Sequence, residues 1–177
     1  MAKITDEPDT PYQAMWKRVM LGDRTALQEP EIATLMDTSN TTPLHLAAMV
    51  WEETLRHPLV AKVKNSSGVT PLHYAAKHWV SALQHPEVAT VCSISDRTPL
   101  DWAAEVYPEA FDHPAAQVML EDGDYLIHRA SRMQHSTVYR HKDFQTLKNE
   151  WGDTPEDVWG VDSMDDEDGE DDDIQDN

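Results

Sequence analysis

Cysteine is almost missing from this chain: Cys92 stands alone among 177 residues. A single thiol closes no intrachain disulfide and builds no multi-cysteine zinc site, so neither staple organises the fold. One lone cysteine also fits a reducing compartment. Glycine is scarce, at six residues, and none of it forms a phosphate-cradling loop or a Gly-x-Ser-x-Gly nucleophile elbow. No His-Glu-x-x-His zinc signature occurs either. The sequence offers no catalytic residue, no metal site and no cofactor site. The expectation is a protein that is not an enzyme.

Positive charge is the next shortage. Lys and Arg number 14 against 33 Asp and Glu, a formal net charge of −19. Such a surface repels nucleic acid and anionic lipid and attracts partners with a basic surface. Residues 162–177 hold ten of the acids and neither Lys nor Arg. Long apolar runs are missing too, since nothing approaches the ~20 residues of a membrane span. Residues 1–9 are polar and acidic, without the apolar centre of a signal peptide. A soluble protein is expected, cytoplasmic or otherwise intracellular.

What the chain has is repetition. Thr42-Pro43-Leu44-His45-Leu46-Ala47-Ala48 recurs as Thr70-Pro71-Leu72-His73-Tyr74-Ala75-Ala76 and as Thr98-Pro99-Leu100-Asp101-Trp102-Ala103-Ala104, at intervals of 28 residues. A second column, Glu29-Pro30, His57-Pro58, His85-Pro86 and His113-Pro114, keeps the same interval, and His141 continues it without the proline. Large apolar residues follow in register: Leu27/Leu55/Leu83/Phe111/Tyr139, Ile32/Val60/Val88/Ala116/Phe144 and Leu35/Val63/Val91/Met119/Leu147. A fixed period of this size is the signature of a stacked array, in which each unit buries its apolar face against the next.

Each unit reads as two short helices. Thr70 is the expected N-cap of the first and Pro71 occupies its first position, where a missing N–H costs nothing. Ala75-Ala76 leave room for close approach of a neighbour. The second helix is expected near His85-Pro86-Glu87, with Val88 and Val91 on one face. Short polar loops join the units, with Gly68 and Gly123 at their turns. Residues 14–20 form a degenerate first copy, and Tyr125-Leu126-Ile127-His128 matches the pattern after loss of one residue. That residue is regained before His141. Five units result, followed by a half-copy at Thr154-Pro155-Glu156-Asp157-Val158-Trp159. The domain plan is a flexible lead-in at 1–13, a repeat domain at 14–161 and a disordered acidic tail at 162–177.

The Thr-Pro-Leu-His-x-Ala opening resembles that of the ankyrin repeat. This likeness covers most of residues 14–160. It implies an all-α, ankyrin-like helical solenoid of about five two-helix repeats with short inter-repeat loops. It also implies that His45, His73 and His128 order the backbone within and between repeats. The period of 28 is shorter than the family's ~33, and the family's glycine after Ala-Ala is replaced by Val50, His78 and Val106. Long projecting hairpins are therefore not expected.

The family is one of protein-binding scaffolds, so candidate contacts follow. Positions that differ between copies of a repeated frame are free for specificity: Met49, Lys77 and Glu105, then Val50, His78 and Val106. Trp51, Trp79 and Tyr107 form an aromatic column that either covers the link between helices or anchors a partner. Loop residues Asn65, Asp96, Arg97, Asp122 and Asp124 complete the set. Two functions fit: a non-catalytic scaffold, or an acidic decoy that mimics nucleic acid and blocks a basic protein.

Overall fold

The structure, a computed structural model, describes residues 9–159. The acidic tail expected at 162–177, and the lead-in up to residue 8, lie outside the described residues. Those described are helix, turn and loop with no strand, and the all-α expectation holds for them. The α-helices are α1 (Pro11–Met20), α2 (Glu31–Thr34), α3 (Pro43–Val50), α4 (Pro71–His78), α5 (Pro99–Ala104) and α6 (Leu126–Arg132).

Helix starts follow the sequence. Thr42, Thr70 and Thr98 sit in extended backbone immediately before Pro43, Pro71 and Pro99, the first helical positions. The ends of α3 and α4 are also alike. Trp51 and Trp79 leave the helix with φ −133 and swing the chain into a 3-10 turn. The three alanine pairs, Ala47-Ala48, Ala75-Ala76 and Ala103-Ala104, are buried. Small side chains there let α3 pack on α4 and α4 on α5.

Ile32, Val60, Val88, Ala116 and Phe144 are all buried, so that column forms the core as expected. Two members of the flanking columns depart from expectation. Tyr139 is 54% exposed, its ring laid over Trp159 in the last unit, and Met119 is 41% exposed beside the shortened loop.

The expected second helix is a correction. Only the first unit makes it α-helical, as the four-residue α2. Elsewhere a 3-10 turn (Glu52–Arg56, Val80–Gln84, Pro108–Asp112) leads into a second tight turn at the His-Pro step. There Val60 N–H donates to the His57 carbonyl and Val88 N–H to the His85 carbonyl, each at 3.0 Å, bonds of the three-residue kind. The few residues between that proline and the next loop complete little more than one turn, too short to nucleate an α-helix alone.

The lost residue is regained before His141, at Gln134. Gln134 has φ 57, and the N–H groups of Gln134 and His135 bond back to Ser131 and Ala130. Such a left-handed terminus is absent from α3 and α4, and it restores the register before His135. The loops repeat as well. Asn40, Gly68, Asp96, Gly123 and Gly152 all have positive φ. Glycine, asparagine and aspartate are the residues that tolerate this conformation best.

Candidate protein-interaction face

The frame that holds the face is a set of hydrogen bonds repeated from unit to unit. His45 Nδ1 accepts the Thr42 N–H at 3.1 Å, and His73 Nδ1 accepts the Thr70 N–H at 3.1 Å. The opposite nitrogen, Nε2, meets the Val69 carbonyl at 3.1 Å and the Arg97 carbonyl at 3.0 Å, 24 residues onward. A backbone N–H only donates and a carbonyl only accepts, so each ring is the neutral tautomer with its proton on Nε2. One face of the imidazole caps its own helix and the other hooks the next loop. His128 makes the hook alone, to the Asp153 carbonyl at 3.0 Å. Burial pushes all three imidazoles below their ordinary range, against the weaker pull of those backbone bonds.

A second histidine column works locally. His57, His85, His113 and His141 accept the N–H two residues on, at 3.2, 3.2, 3.1 and 3.2 Å. Each imidazole thereby holds its own turn, which a proline opens after His57, His85 and His113 and Lys142 opens after His141. The nine histidines that composition alone would flag are for the most part spent in this bonding. Among the described residues no three His, Cys, Asp or Glu side chains group as metal ligands.

On this frame the expected contact residues separate into two kinds. Trp51 and Asp124 are buried, so neither lies on the surface. Trp79 is part-buried and its indole N–H donates to the Ala48 carbonyl at 3.0 Å. Tyr107 is part-buried too. The aromatic column thus closes the step between helix and turn. Asp124 takes Asn149 Nδ2 at 2.8 Å and pairs with Arg132 at 2.9 Å. The Asn65 side chain accepts from Ser67 N–H and Val69 N–H, both at 3.0 Å, and so builds its own loop. Asp96 occupies the left-handed turn position and is exposed, as is Asp122.

Met49, Lys77, His78 and Glu105 come together along the ends of α3, α4 and α5. Met49, Lys77 and His78 are exposed, with Val50 and Val106 beside them. Lys77 Nζ bonds Glu105 at 2.7 Å and lies 5.9 Å from the centre of the Trp102 ring. Arg97 pairs with the other oxygen of Glu105 at 2.5 Å. Burial opposes ionisation of Glu105, but Lys77 and Arg97 outweigh it and hold the carboxyl below its ordinary range. Tyr74 and Trp102 meet edge to face at 5.5 Å. Together they give the face an aromatic floor, with one carboxylate shared between two cations above it.

Sequence reasoning passed over Tyr74, Trp102, Arg129 and His135. The first two stand at the variable place inside the Thr-Pro-Leu-His motif itself. His135 lies one further 28-residue step beyond Tyr107, so the period alone would have found it. Burial pushes its imidazole down. Arg129 is visible only after the register slip is resolved. It faces Asp101 at 3.8 Å and Asp122 at 4.0 Å.

Among the described residues no helix is long and apolar enough to cross a membrane. A scan against protein-family models finds no match, and a search of curated proteins finds no relative.

Proposed function

We propose that the chain is an ankyrin-like solenoid of about five short repeats that serves, without catalysis, as a scaffold for a protein partner. The observation that carries this reading is the contrast within one surface. Thr42/Thr70/Thr98, Leu44/Leu72/Leu100 and the alanine pairs are alike and buried or nearly so, whereas Met49/Lys77/Glu105 and Val50/His78/Val106 are unlike and largely exposed. Stacking requires the repeated residues, so the unlike ones are free for recognition. The net charge of −19 favours a partner with a basic surface and disfavours nucleic acid or an anionic membrane. No cofactor enters this reading. The compartment it fits is intracellular.

The test starts from a partner recovered by affinity pull-down from the native host. Alanine at Met49, Lys77 and His78 is expected to weaken binding at least tenfold while circular dichroism stays unchanged. A partner still bound after changes across this whole row would remove the face from consideration.

A second reading is favoured by the ten acids of residues 162–177: an acidic decoy that occupies the nucleic-acid groove of a basic protein. Binding would then fall steeply with added salt and disappear on removal of 162–177. Retention under both conditions excludes the decoy and leaves the scaffold standing.

A further inference from the structure

The junctions between units are not equivalent, and the difference lies in the bonds that cross them. Between α3 and α4, three hydrogen bonds recur. His45 Nε2 hooks the Val69 carbonyl at 3.1 Å, Ser66 N–H reaches back to the Ser39 carbonyl at 2.9 Å, and Leu72 N–H bonds the Val60 carbonyl at 2.9 Å. Between α4 and α5 the same three appear: His73 to Arg97, Ile94 to Ser67 and Leu100 to Val88. The passage from α6 into the final turn has them again as His128 to Asp153, Glu150 to Gly123 and Glu156 to Phe144.

Between α5 and α6 the hook and the loop-to-loop bond are both missing. Asp101 stands where the hook histidine belongs, and a carboxylate has no proton to donate to the Asp124 carbonyl. Among the described residues outside the helices, no backbone–backbone hydrogen bond joins loop 93–97 to loop 120–124.

Side-chain contacts cross in their place. Thr137 Oγ1 donates to the Ala104 carbonyl at 2.6 Å, Lys142 pairs with Asp112 at 2.8 Å, and Arg129 faces Asp101 at 3.8 Å. That last contact replaces the edge-on packing of imidazole on aromatic ring seen for His45 with Tyr74 and His73 with Trp102. A cavity of about 50 Å³, lined in part by Arg97, Asp101, Arg129 and His135, opens at the same place. Tyr125 supplies no side-chain cap to α6, and the buried Nδ1 of His128 is left without a partner.

We propose that this junction is a built-in seam, and that residues 120–159 open from the rest as one unit while residues 43–104 stay folded. The unit keeps its own internal bonds, and its attachment includes the apolar core that Leu126, Ile127 and Val138 share with Phe111 and the edge-on contact of the Phe111 and His141 rings. Sub-global openings of this kind follow boundaries where few bonds cross. The inference concerns the fold alone and stands or falls independently of the scaffold reading.

Native-state hydrogen exchange of the full chain, followed by mass spectrometry in low urea, tests it. Peptides from 126–150 are expected to exchange together and at least tenfold faster than those from 70–104. A repaired junction, D101H with Y125T, is expected to close most of that gap. Uniform exchange across all units in the unaltered protein would overturn the proposal outright. So would a folded D101H/Y125T variant whose 126–150 peptides exchange at the original rate. If that pair of changes prevents folding, R129W in the D101H background gives the same reading through the restored imidazole–aromatic contact.

Discussion

The α4–α5 junction and the α5–α6 junction join units of closely similar sequence, yet the hook and the loop-to-loop bond that cross the first are missing from the second. A single residue type explains much of the contrast. At Thr70 the cap requires only an acceptor on the side chain three residues on, and His73 supplies it. At Thr98 the Asp101 carboxylate serves equally well, taking the Thr98 N–H at 2.7 Å. The hook adds a second requirement, a donor on the far side of the same group. Imidazole meets both requirements and carboxylate only one. A substitution that is silent for the helix is therefore costly for the stack.

The largest test of this contrast acts on every hook at once. Burial holds His45, His57, His73, His85 and His128 below the usual histidine range. A depressed histidine takes up its proton more readily in the unfolded chain, so stability rises with pH across the interval between the two values. Stability is expected to be full above about pH 6.5, the ordinary histidine value, and to fall as pH drops from there through the folded-state values. Urea titrations between pH 7.5 and 5 check it, and a flat profile would mean the imidazoles are not held neutral by the fold.

Transplanting the weak junction comes next. His73→Asp keeps the cap and removes the hook, leaving the Arg97 carbonyl without its donor and a buried carboxylate beside Trp102. A loss of about 2–4 kcal/mol is expected in denaturant unfolding. A loss under about 0.5 kcal/mol would show that the hook contributes little and would erase the contrast.

The turn column sharpens the comparison further. A Cβ on Gly68 would lie 2.8 Å from the Ile94 nitrogen, and its φ is +71. Gly68→Ala is expected to cost about 1–3 kcal/mol through strain in the turn. Asp96 already carries a Cβ at the equivalent place, so Asp96→Gly is expected to cost nothing and to relieve backbone strain. Thermal melts of the two variants should move in opposite directions or leave the second unchanged. The smallest effect is expected for Lys77→Ala. Its side chain is 45% exposed and keeps contact with water at the pair with Glu105, which is worth under about 1 kcal/mol. That makes it a clean probe of binding without unfolding.

Much of this organisation was legible in the residues. Period, helix starts and the Ile32/Val60/Val88/Ala116/Phe144 core column follow from the sequence because each depends on local chemistry or on a repeated apolar residue. The second helix did not follow, because proline at a helix entry looks the same whether the segment then has room for one turn or three. The contact residues were legible only in part. Trp51 and Tyr107 repeat for packing, and nothing in a side chain's identity says that Asp124 is buried beside Arg132 and Asn149. The Asp101–Arg129 contact was hidden by the missing residue before Tyr125, which leaves these two 28 residues apart where His45 and Tyr74, or His73 and Trp102, are 29 apart.

The bonds across the regular junctions have a consequence for how such a chain can grow. Each joins a backbone group to a place a fixed number of residues away, so a copied block brings its own partners with it. Residues 42–69, duplicated and inserted after residue 69, would find a hook carbonyl, a glycine at the left-handed turn and an alanine pair already in position. The chain would lengthen by a whole unit without a single new side chain. The block 98–124 lacks this portability, since every copy would reproduce the junction without its hook and its loop-to-loop bond. Modular growth is thus open in the middle of the molecule and closed near its acidic end.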